Sequence, residues 1–145
     1  MDFHLDGRVR FHHTDAMGVV HHAAYLCFLE DARVEYLRAI GRPYDRIREA
    51  DGVDIAVVGV NVIYHAPLRF DEEFRTHAAL AAAGRSWFTV AYRVERGATR
   101  VLTGMTRHVM LERTSGRPVR LPDWVADEIR AGAGRVGATP PGRRP

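Results

Sequence analysis

A single long helical pattern limits the folds that this chain can adopt. Between about His22 and Ile40, apolar residues recur at intervals of three or four, which is the spacing of one side of an α-helix. The apolar positions are Tyr25, Leu29, Ala32, Tyr36 and Ile40, joined by Leu26, Phe28 and Leu37. This broad apolar arc predicts a helix that other structure covers on most sides. Gly41 and Pro43 supply its stop signal.

The segments after the helix are typical of β-strands. Strands are predicted in residues 53–70, 73–83, 86–95 and 101–112, with Gly59 as a candidate bulge and Pro67 at the end of the first of them. Short connections join these segments, which favours antiparallel pairing. Residues 3–13 add a further strand before the helix. The prediction is an α+β domain in which an antiparallel sheet of about five strands wraps around one long central helix.

The remaining composition is that of one ordinary domain, assigned to residues 1–131. Residues 132–145 are rich in glycine, proline and arginine, and we expect this tail to be disordered. No apolar run is long enough for a membrane span, and the amino terminus lacks a signal-peptide pattern. Cys27 is the only cysteine, which excludes an internal disulfide. Together these features predict a cytoplasmic location.

The charge pattern does not favour nucleic-acid binding. The net charge is +3, and all 21 basic residues are arginine, because lysine is absent. The arginines are interspersed with 18 acidic residues and form no basic stripe. We therefore expect no nucleic-acid partner, while an anionic small molecule remains compatible with a few placed arginines.

Residues 11–33 carry four of the eight histidines, and a metal site must be considered there. Adjacent residues of a strand face opposite ways, so His12 and His13 should not both reach one ion. His21 and His22 would diverge on a helix, and no zinc-binding spacing is present. One histidine from each pair could still join Asp15 in a three-ligand site. Surface or hydrogen-bonded histidines are the favoured interpretation, and we expect no metal.

Asp15 itself is a candidate catalytic residue. It lies in a turn between the first strand and the long helix, followed by Ala16 and Gly18. The first N–H groups of a helix lack intrahelical partners and can hold an oxyanion, while a nearby carboxylate attacks or activates water. The alternative is a plain turn or capping role, which aspartate favours.

The same stretch resembles the signature of the 4-hydroxybenzoyl-CoA thioesterase family. The matching residues are Thr14, Asp15, Ala16, Gly18, Val19, Val20, His22, Tyr25, Phe28, Glu30, Ala32 and Arg33. The segments "YHAPLRFDE" and "GRSWFTVAYRV" extend the resemblance over roughly residues 6–124. The resemblance implies the hotdog fold and an acyl-CoA thioesterase, which hydrolyses a thioester to a carboxylic acid and coenzyme A. It implies no cofactor, because coenzyme A is part of the substrate.

The resemblance also assigns roles to individual residues. Asp15 matches the catalytic aspartate, as nucleophile or as general base. The thioester carbonyl is expected against a backbone N–H near His22, whose side chain either assists catalysis or only orders the helix start. Gly18, Tyr25, Arg69 and Arg85 are the candidate substrate-binding residues, with solvated strand ends or simple packing as the alternatives. A homodimer or homotetramer is expected.

Some positions depart from the family pattern or leave alternatives open. Phe11 replaces a common tyrosine, and His13 replaces an acidic neighbour of Asp15. Glu30 suits a structural salt bridge better than catalysis, and Cys27 suits a small buried hydrophobe. The rival functions are a noncatalytic acyl-CoA-binding hotdog protein and a hotdog enoyl-CoA hydratase or dehydratase.

Overall fold

The predicted long helix is the central element of the protein. The computed structural model describes residues 3–132, in which α1 spans Ala24–Ala39. The helix ends as predicted at Gly41, whose φ of 80° lets the chain turn while Arg42 N–H donates to Leu37 O. The buried side of α1 consists of Tyr25, Phe28, Leu29, Ala32, Arg33, Tyr36 and Leu37. The opposite side is open to solvent, and Leu26 is 39% exposed there, so the helix is covered less completely than predicted.

Five antiparallel strands form one sheet around this helix. They are β1 (His4–Arg8), β2 (Val53–Tyr64), β3 (Glu73–Ala83), β4 (Trp87–Arg96) and β5 (Thr99–Glu112). The order across the sheet is β1-β3-β4-β5-β2, which leaves β1 and β2 at the edges. The predicted α+β architecture is confirmed, and a sheet that wraps one helix is the hotdog arrangement.

The sheet meets the helix through alternating side chains. In β4 the residues Phe88, Val90, Tyr92 and Val94 are all buried, as their spacing predicts. The predicted bulge at Gly59 is also present, because the pairing of β2 with β5 shifts register between Val57 and Gly59. The helix and sheet therefore share one core.

A chain of buried polar side chains crosses this core. The Arg33 guanidinium donates to the hydroxyls of Tyr44 (3.2 Å) and Tyr92 (3.3 Å). The Tyr92 hydroxyl lies 2.9 Å from Thr106 Oγ1, which lies 2.7 Å from His108 Nε2. Arginine can only donate, so both tyrosine hydroxyls accept from Arg33. Beyond this chain of contacts, His108 Nδ1 is buried and has no hydrogen-bond partner within residues 3–132.

The structure differs from the prediction in its short helices. Residues Phe11–His13 form a 3₁₀ helix instead of continuing the first strand, so the opposite-face argument for His12 and His13 was wrong. Their rings lie only 4.2 Å apart. The connection between α1 and β2 contains α2 (Tyr44–Arg46) and a π-helical turn (Ile47–Asp51).

The carboxyl-terminal part of the domain holds a helix that was not predicted. Helix α3 spans Asp123–Gly132 and begins directly after Pro122, a common helix-start signal. Val125 is buried in the common core, and Trp124 and Ile129 pack against it. The predicted disordered tail therefore overlaps α3 at Gly132, and its other residues lie outside the described range. No helix within residues 3–132 is long and apolar enough to cross a membrane, and the cytoplasmic location stays a prediction.

Replacing the buried histidine should flatten the acid dependence of stability. Burial, assisted by the charge of Arg33, lowers the pKa of His108 to about 3. Because an unfolded histidine titrates near 6.5, the stability contributed by neutral His108 is complete above that pH and is lost as the pH falls toward 3. We expect His108→Gln to remove up to about 1.4 kcal/mol per pH unit from the slope of unfolding free energy in this window.

Urea unfolding at a series of pH values measures this slope. His65→Gln is the matched control, because His65 is exposed, and it should keep the wild-type slope. An unchanged slope in His108→Gln would show that the buried ring does not titrate as the fold requires.

Candidate active site

Asp15 occupies the first position of a tight hairpin turn. Thr14 pairs with Val20, and Asp15 N–H donates to Val19 O at 2.9 Å. Gly18 N–H donates back to Asp15 O at 3.0 Å, and Gly18 has a φ of 75°. That left-handed conformation favours glycine, which explains why this residue closes the turn.

The Asp15 carboxylate is held through only one of its oxygens. Oδ1 accepts a hydrogen bond from Met17 N–H at 2.8 Å, so the turn role considered as an alternative is present. Within residues 3–132, Oδ2 has no hydrogen-bond partner, and the residue is exposed. One oxygen therefore fixes the orientation of the side chain while the other stays available to a ligand.

The turn rests on the segment that precedes β3. Val20 N–H donates to Leu68 O at 2.8 Å, and Val19 pairs with Arg69. Leu68 N–H in turn donates to the Tyr25 hydroxyl at 3.1 Å. Helix α1 thus fixes the segment that carries Arg69, and through it the hairpin of Asp15.

The start of α1 lies beside the same hairpin. His21 N–H donates to His13 O at 2.8 Å, and the Tyr64 hydroxyl at the end of β2 donates to His22 O at 2.9 Å. The His22 N–H donates to no residue in the described part of the chain. Because the N-terminal end of a helix carries partial positive charge, this N–H is suited to a carbonyl oxygen that becomes negative.

The predicted site residues separate into three groups. Asp15 and Gly18 lie in the hairpin that pairs with the Arg69 segment, and His22 lies where the same hairpin leads into α1. Tyr25 is 3% exposed, and its hydroxyl accepts a hydrogen bond from Leu68 N–H. In this structure its side chain is therefore part of the core. Arg85 lies in the turn between β3 and β4, about 30 Å from the start of β3 at the usual rise per residue. It is therefore not beside Asp15 in the same protomer, and its role stays a prediction.

The residues that depart from the family pattern lie close to this turn. Phe11 is 81% exposed, and its ring stands edge-on to Phe70 at 5.9 Å. His13 Nδ1 accepts a hydrogen bond from Arg10 N–H at 2.9 Å. Burial lowers the pKa of His13, with the charges of His12 and Arg10 adding to the effect. His13 is therefore a neutral neighbour of the aspartate at neutral pH.

Sequence reasoning missed the exposed apolar side chains around Asp15. Met17 is 80% exposed, Phe70 51% and Tyr64 46%. No spacing signal marks them, because they come from three segments that only the fold brings together. Glu30 and Cys27 are exposed on α1, so the prediction of a buried cysteine was wrong.

The histidine pairs do not assemble a metal-like cluster. Across residues 3–132, no three histidine, cysteine or carboxylate side chains converge as ligands of one ion would. His21 and His22 instead lie with ring centroids 4.3 Å apart, and His21 Nδ1 accepts from Ala23 N–H at 3.2 Å.

Comparison with known proteins places the chain in one family by two independent matches. Residues 9–129 match the model of the thioesterase-like superfamily. A 1,4-dihydroxy-2-naphthoyl-CoA hydrolase from Synechococcus elongatus is 30% identical over 129 residues, which are 86% of this chain and 95% of that protein.

Solved structures agree with the fold. A hypothetical protein from Aquifex aeolicus superimposes with a TM-score of 0.80 at 34% identity, covering 88% of this chain and 98% of that one. A hypothetical protein from Thermus thermophilus gives a TM-score of 0.79 at 35% identity, covering 90% and 97% of the two chains. These matches confirm the hotdog fold.

A methyl group at Gly18 should loosen the turn that presents Asp15. The φ of 75° is unfavourable for any residue with a Cβ, so Gly18→Ala should lower the free energy of unfolding by about 1 kcal/mol. It should also speed amide exchange at Asp15, whose N–H donates to Val19 O across the turn. Gly59→Ala is the control, because its Cβ would lie 3.5 Å from Arg107 Cβ, an ordinary contact. Equal effects of the two variants, in urea unfolding and hydrogen exchange, would contradict the constraint at Gly18.

Proposed function

The chain belongs to the thioesterase-like superfamily and is a thioester hydrolase, and we propose that it hydrolyses acyl-CoA thioesters with Asp15 as the catalytic carboxylate. The observation that carries the proposal is that two groups on connected parts of the fold are unused. Asp15 Oδ2 has no partner among the described residues, and neither has the N–H of His22, which follows the contact of His21 N–H with His13 O. A closer relation to 4-hydroxybenzoyl-CoA thioesterases stays a prediction.

The His22 N–H and Asp15 Oδ2 are suited to complementary roles in thioester hydrolysis. The thioester carbonyl oxygen would accept the His22 N–H, whose position at the helix start stabilises the negative charge that forms on attack. Asp15 then has two possible roles. As nucleophile, Oδ2 attacks the carbonyl carbon, the carbon–sulfur bond breaks with release of the coenzyme A thiolate, and water cleaves the resulting anhydride. As general base, Oδ2 takes a proton from the water that attacks the carbonyl.

Residues beside the pair are assigned supporting roles. The His22 side chain is exposed and could orient water or the carbonyl. Arg69 is exposed on the segment paired with the Asp15 hairpin, and in the described part of the chain its guanidinium has no ion-pair partner. It is therefore suited to a phosphate of coenzyme A. Gly18 keeps the approach to Asp15 free of a side chain.

We also propose that two copies associate through the free edge of β2. An edge strand offers unpaired backbone groups that another strand can complete. The exposed apolar residues of β2 are Val57, Val58, Val60, Ile63 and Tyr64, at 50%, 56%, 48%, 44% and 46% exposure. The Tyr64 hydroxyl at the end of β2 donates a hydrogen bond to His22 O, so this edge of the sheet contacts the candidate active site. The site would then lie at the interface of a homodimer, which a homotetramer could contain twice.

Removal of the Asp15 charge tests the catalytic role. Asp15→Asn keeps an oxygen for the Met17 N–H but is a poor nucleophile and base, so turnover should fall at least about 100-fold. Release of free thiol from acetyl-CoA, palmitoyl-CoA and benzoyl-CoA measures the activity. Asp127→Asn, at an exposed position of α3, is the matched control and should retain wild-type turnover.

Two results would contradict this assignment. Undiminished turnover in Asp15→Asn would remove the aspartate from the mechanism. Acyl-CoA binding by the wild-type protein without product from any of the three substrates would favour the noncatalytic alternative.

A charge on the β2 edge should separate the copies. Val60→Lys places an ammonium group where the partner strand would pack, and burial of an unpaired charge is costly. We expect a shift toward monomer in sedimentation and a parallel loss of activity. Thr99→Lys, at the exposed first residue of β5, is the control and should leave both unchanged. A monomer with full activity would contradict the shared site, and an unchanged assembly would contradict pairing through β2.

A further inference from the structure

The turn formed by residues 21–24 leads into α1 and is closed by bonds between neighbours along the chain. Ala24 N–H donates to His21 O at 2.9 Å, and Ala23 N–H donates to His21 Nδ1 at 3.2 Å. Leu26 N–H donates to Ala23 O, also at 3.2 Å. These bonds set the shape of the turn. They do not set its place in the molecule, which depends on contacts with other segments.

Two hydrogen bonds connect this turn to other segments within residues 3–132. The His21 N–H donates to His13 O at 2.8 Å, and the Tyr64 hydroxyl donates to His22 O at 2.9 Å. The first bond leads to the short 3₁₀ helix, whereas the second leads to the end of β2. Tyr64 is therefore the residue whose hydrogen bond fixes the turn relative to the sheet.

Tyr64 is itself firmly anchored. It is the last residue of β2 and pairs with Leu102 of β5, and the N–H of the next residue, His65, donates to Val101 O at 2.8 Å. Leu102 and Val101 are both 0% exposed. The ring of Tyr64 lies 5.3 Å from the ring of Tyr25, at an interplanar angle of 59°. The hydroxyl thus belongs to a side chain whose backbone and ring are both held.

The contact between the two tyrosine rings also leads to the other half of the candidate site. The Tyr25 hydroxyl accepts a hydrogen bond from Leu68 N–H at 3.1 Å, and Leu68 O accepts one from Val20 N–H at 2.8 Å. Val20 lies at the end of the hairpin that carries Asp15. Two adjacent rings, those of Tyr25 and Tyr64, therefore hold both sides of the candidate site.

We propose that Tyr64 is a positioning residue for thioester hydrolysis, an inference that rests on the function proposed above. The peptide between His21 and His22 is planar, so the His22 N–H points away from His21 O, which Ala24 N–H holds. Tyr64 fixes the next peptide against β2 through His22 O. The N–H is thereby kept in one place relative to the Asp15 hairpin while negative charge forms on the carbonyl oxygen.

The Tyr64 hydroxyl acts through His22 and not on the thioester. A phenol carries one proton, and the proton of Tyr64 is committed to His22 O. It is therefore not available to the carbonyl oxygen of a substrate. Loss of the hydroxyl should slow the reaction of bound substrate without weakening its binding.

Tyr64→Phe tests the proposal on the full-length protein. The change removes the hydroxyl and keeps the ring against Tyr25, so we expect kcat to fall about fivefold, the scale of one neutral hydrogen bond, with KM changed less than about twofold. The measurement is thiol release from whichever of acetyl-CoA, palmitoyl-CoA and benzoyl-CoA the wild type hydrolyses fastest. Tyr44→Phe is the matched control, because it removes a hydroxyl that accepts from Arg33 Nε, and it should keep the wild-type kcat.

Amide hydrogen exchange separates positioning from a general loss of stability. Exchange at Ala24 and Leu26 should speed in Tyr64→Phe but not in Tyr44→Phe, because only Tyr64 holds the turn. Thermal unfolding shows whether both variants are folded. A wild-type kcat in Tyr64→Phe would overturn the proposal, and so would an equal loss of kcat in the two variants. A lower kcat with unchanged exchange, or a raised KM at unchanged kcat, would overturn it as well.

Asp15→Asn, assayed in parallel, distinguishes failure of this inference from failure of the proposed function. If Asp15→Asn is inactive and Tyr64→Phe keeps the wild-type kcat, the proposed function stands and the positioning role is wrong. If the wild type releases no thiol from any of the three substrates, the proposed function fails and the positioning role fails with it. Wild-type turnover that falls in both Asp15→Asn and Tyr64→Phe, but not in Tyr44→Phe, supports both.

Discussion

Burial of one side of α1 against a curved antiparallel sheet is the interaction on which the other features depend. Ala32 is 0% exposed and Leu29 1%, so the sheet approaches the helix closely along its middle. Once the helix is fixed in this way, its first turn has one possible location, next to the end of β2 and the segment before β3. The Tyr25 hydroxyl on Leu68 and the Tyr64 hydroxyl on His22 then connect the helix start to both neighbours. The position of the first turn of α1 is thus a consequence of the close packing in the middle of the helix.

The candidate catalytic groups therefore combine a rigid element with a local turn. The His22 N–H belongs to the anchored helix start, whereas Asp15 is positioned by its own hairpin through Met17 and Gly18. Their separation along the chain is short, yet each is held by different contacts. A carboxylate with one satisfied and one unsatisfied oxygen is oriented without losing its reactivity. In a surface turn, one carboxylate oxygen can thus fix the orientation of the side chain while the other remains available for reaction.

The spacing of apolar residues predicted the regular elements of this structure, whereas a sequence motif predicted the candidate catalytic residue. The helix and the four later strands follow from apolar spacing, because burial of one side imposes a period that the sequence must carry. Asp15 was found because the motif around it is long. The 3₁₀ helix at Phe11–His13 has no such period, since three residues are too few to show one. Helix α3 was missed because its apolar residues are few. The position of Arg85 relative to Asp15 depends on tertiary contacts that no local pattern encodes.

The chain contains no lysine, and at the buried position of Arg33 lysine could not replace arginine. Arg33 donates from Nε to Tyr44 and from Nη1 to Tyr92, two directions that a single ammonium group on a flexible stem cannot reproduce. Most other arginines are exposed, and lysine could replace them with little effect on the fold. The protein consequently offers no side-chain amine to amine-directed labels, and a lysine introduced on the surface would be the single amine-bearing side chain. Arg33 is the position that such a scheme has to leave alone.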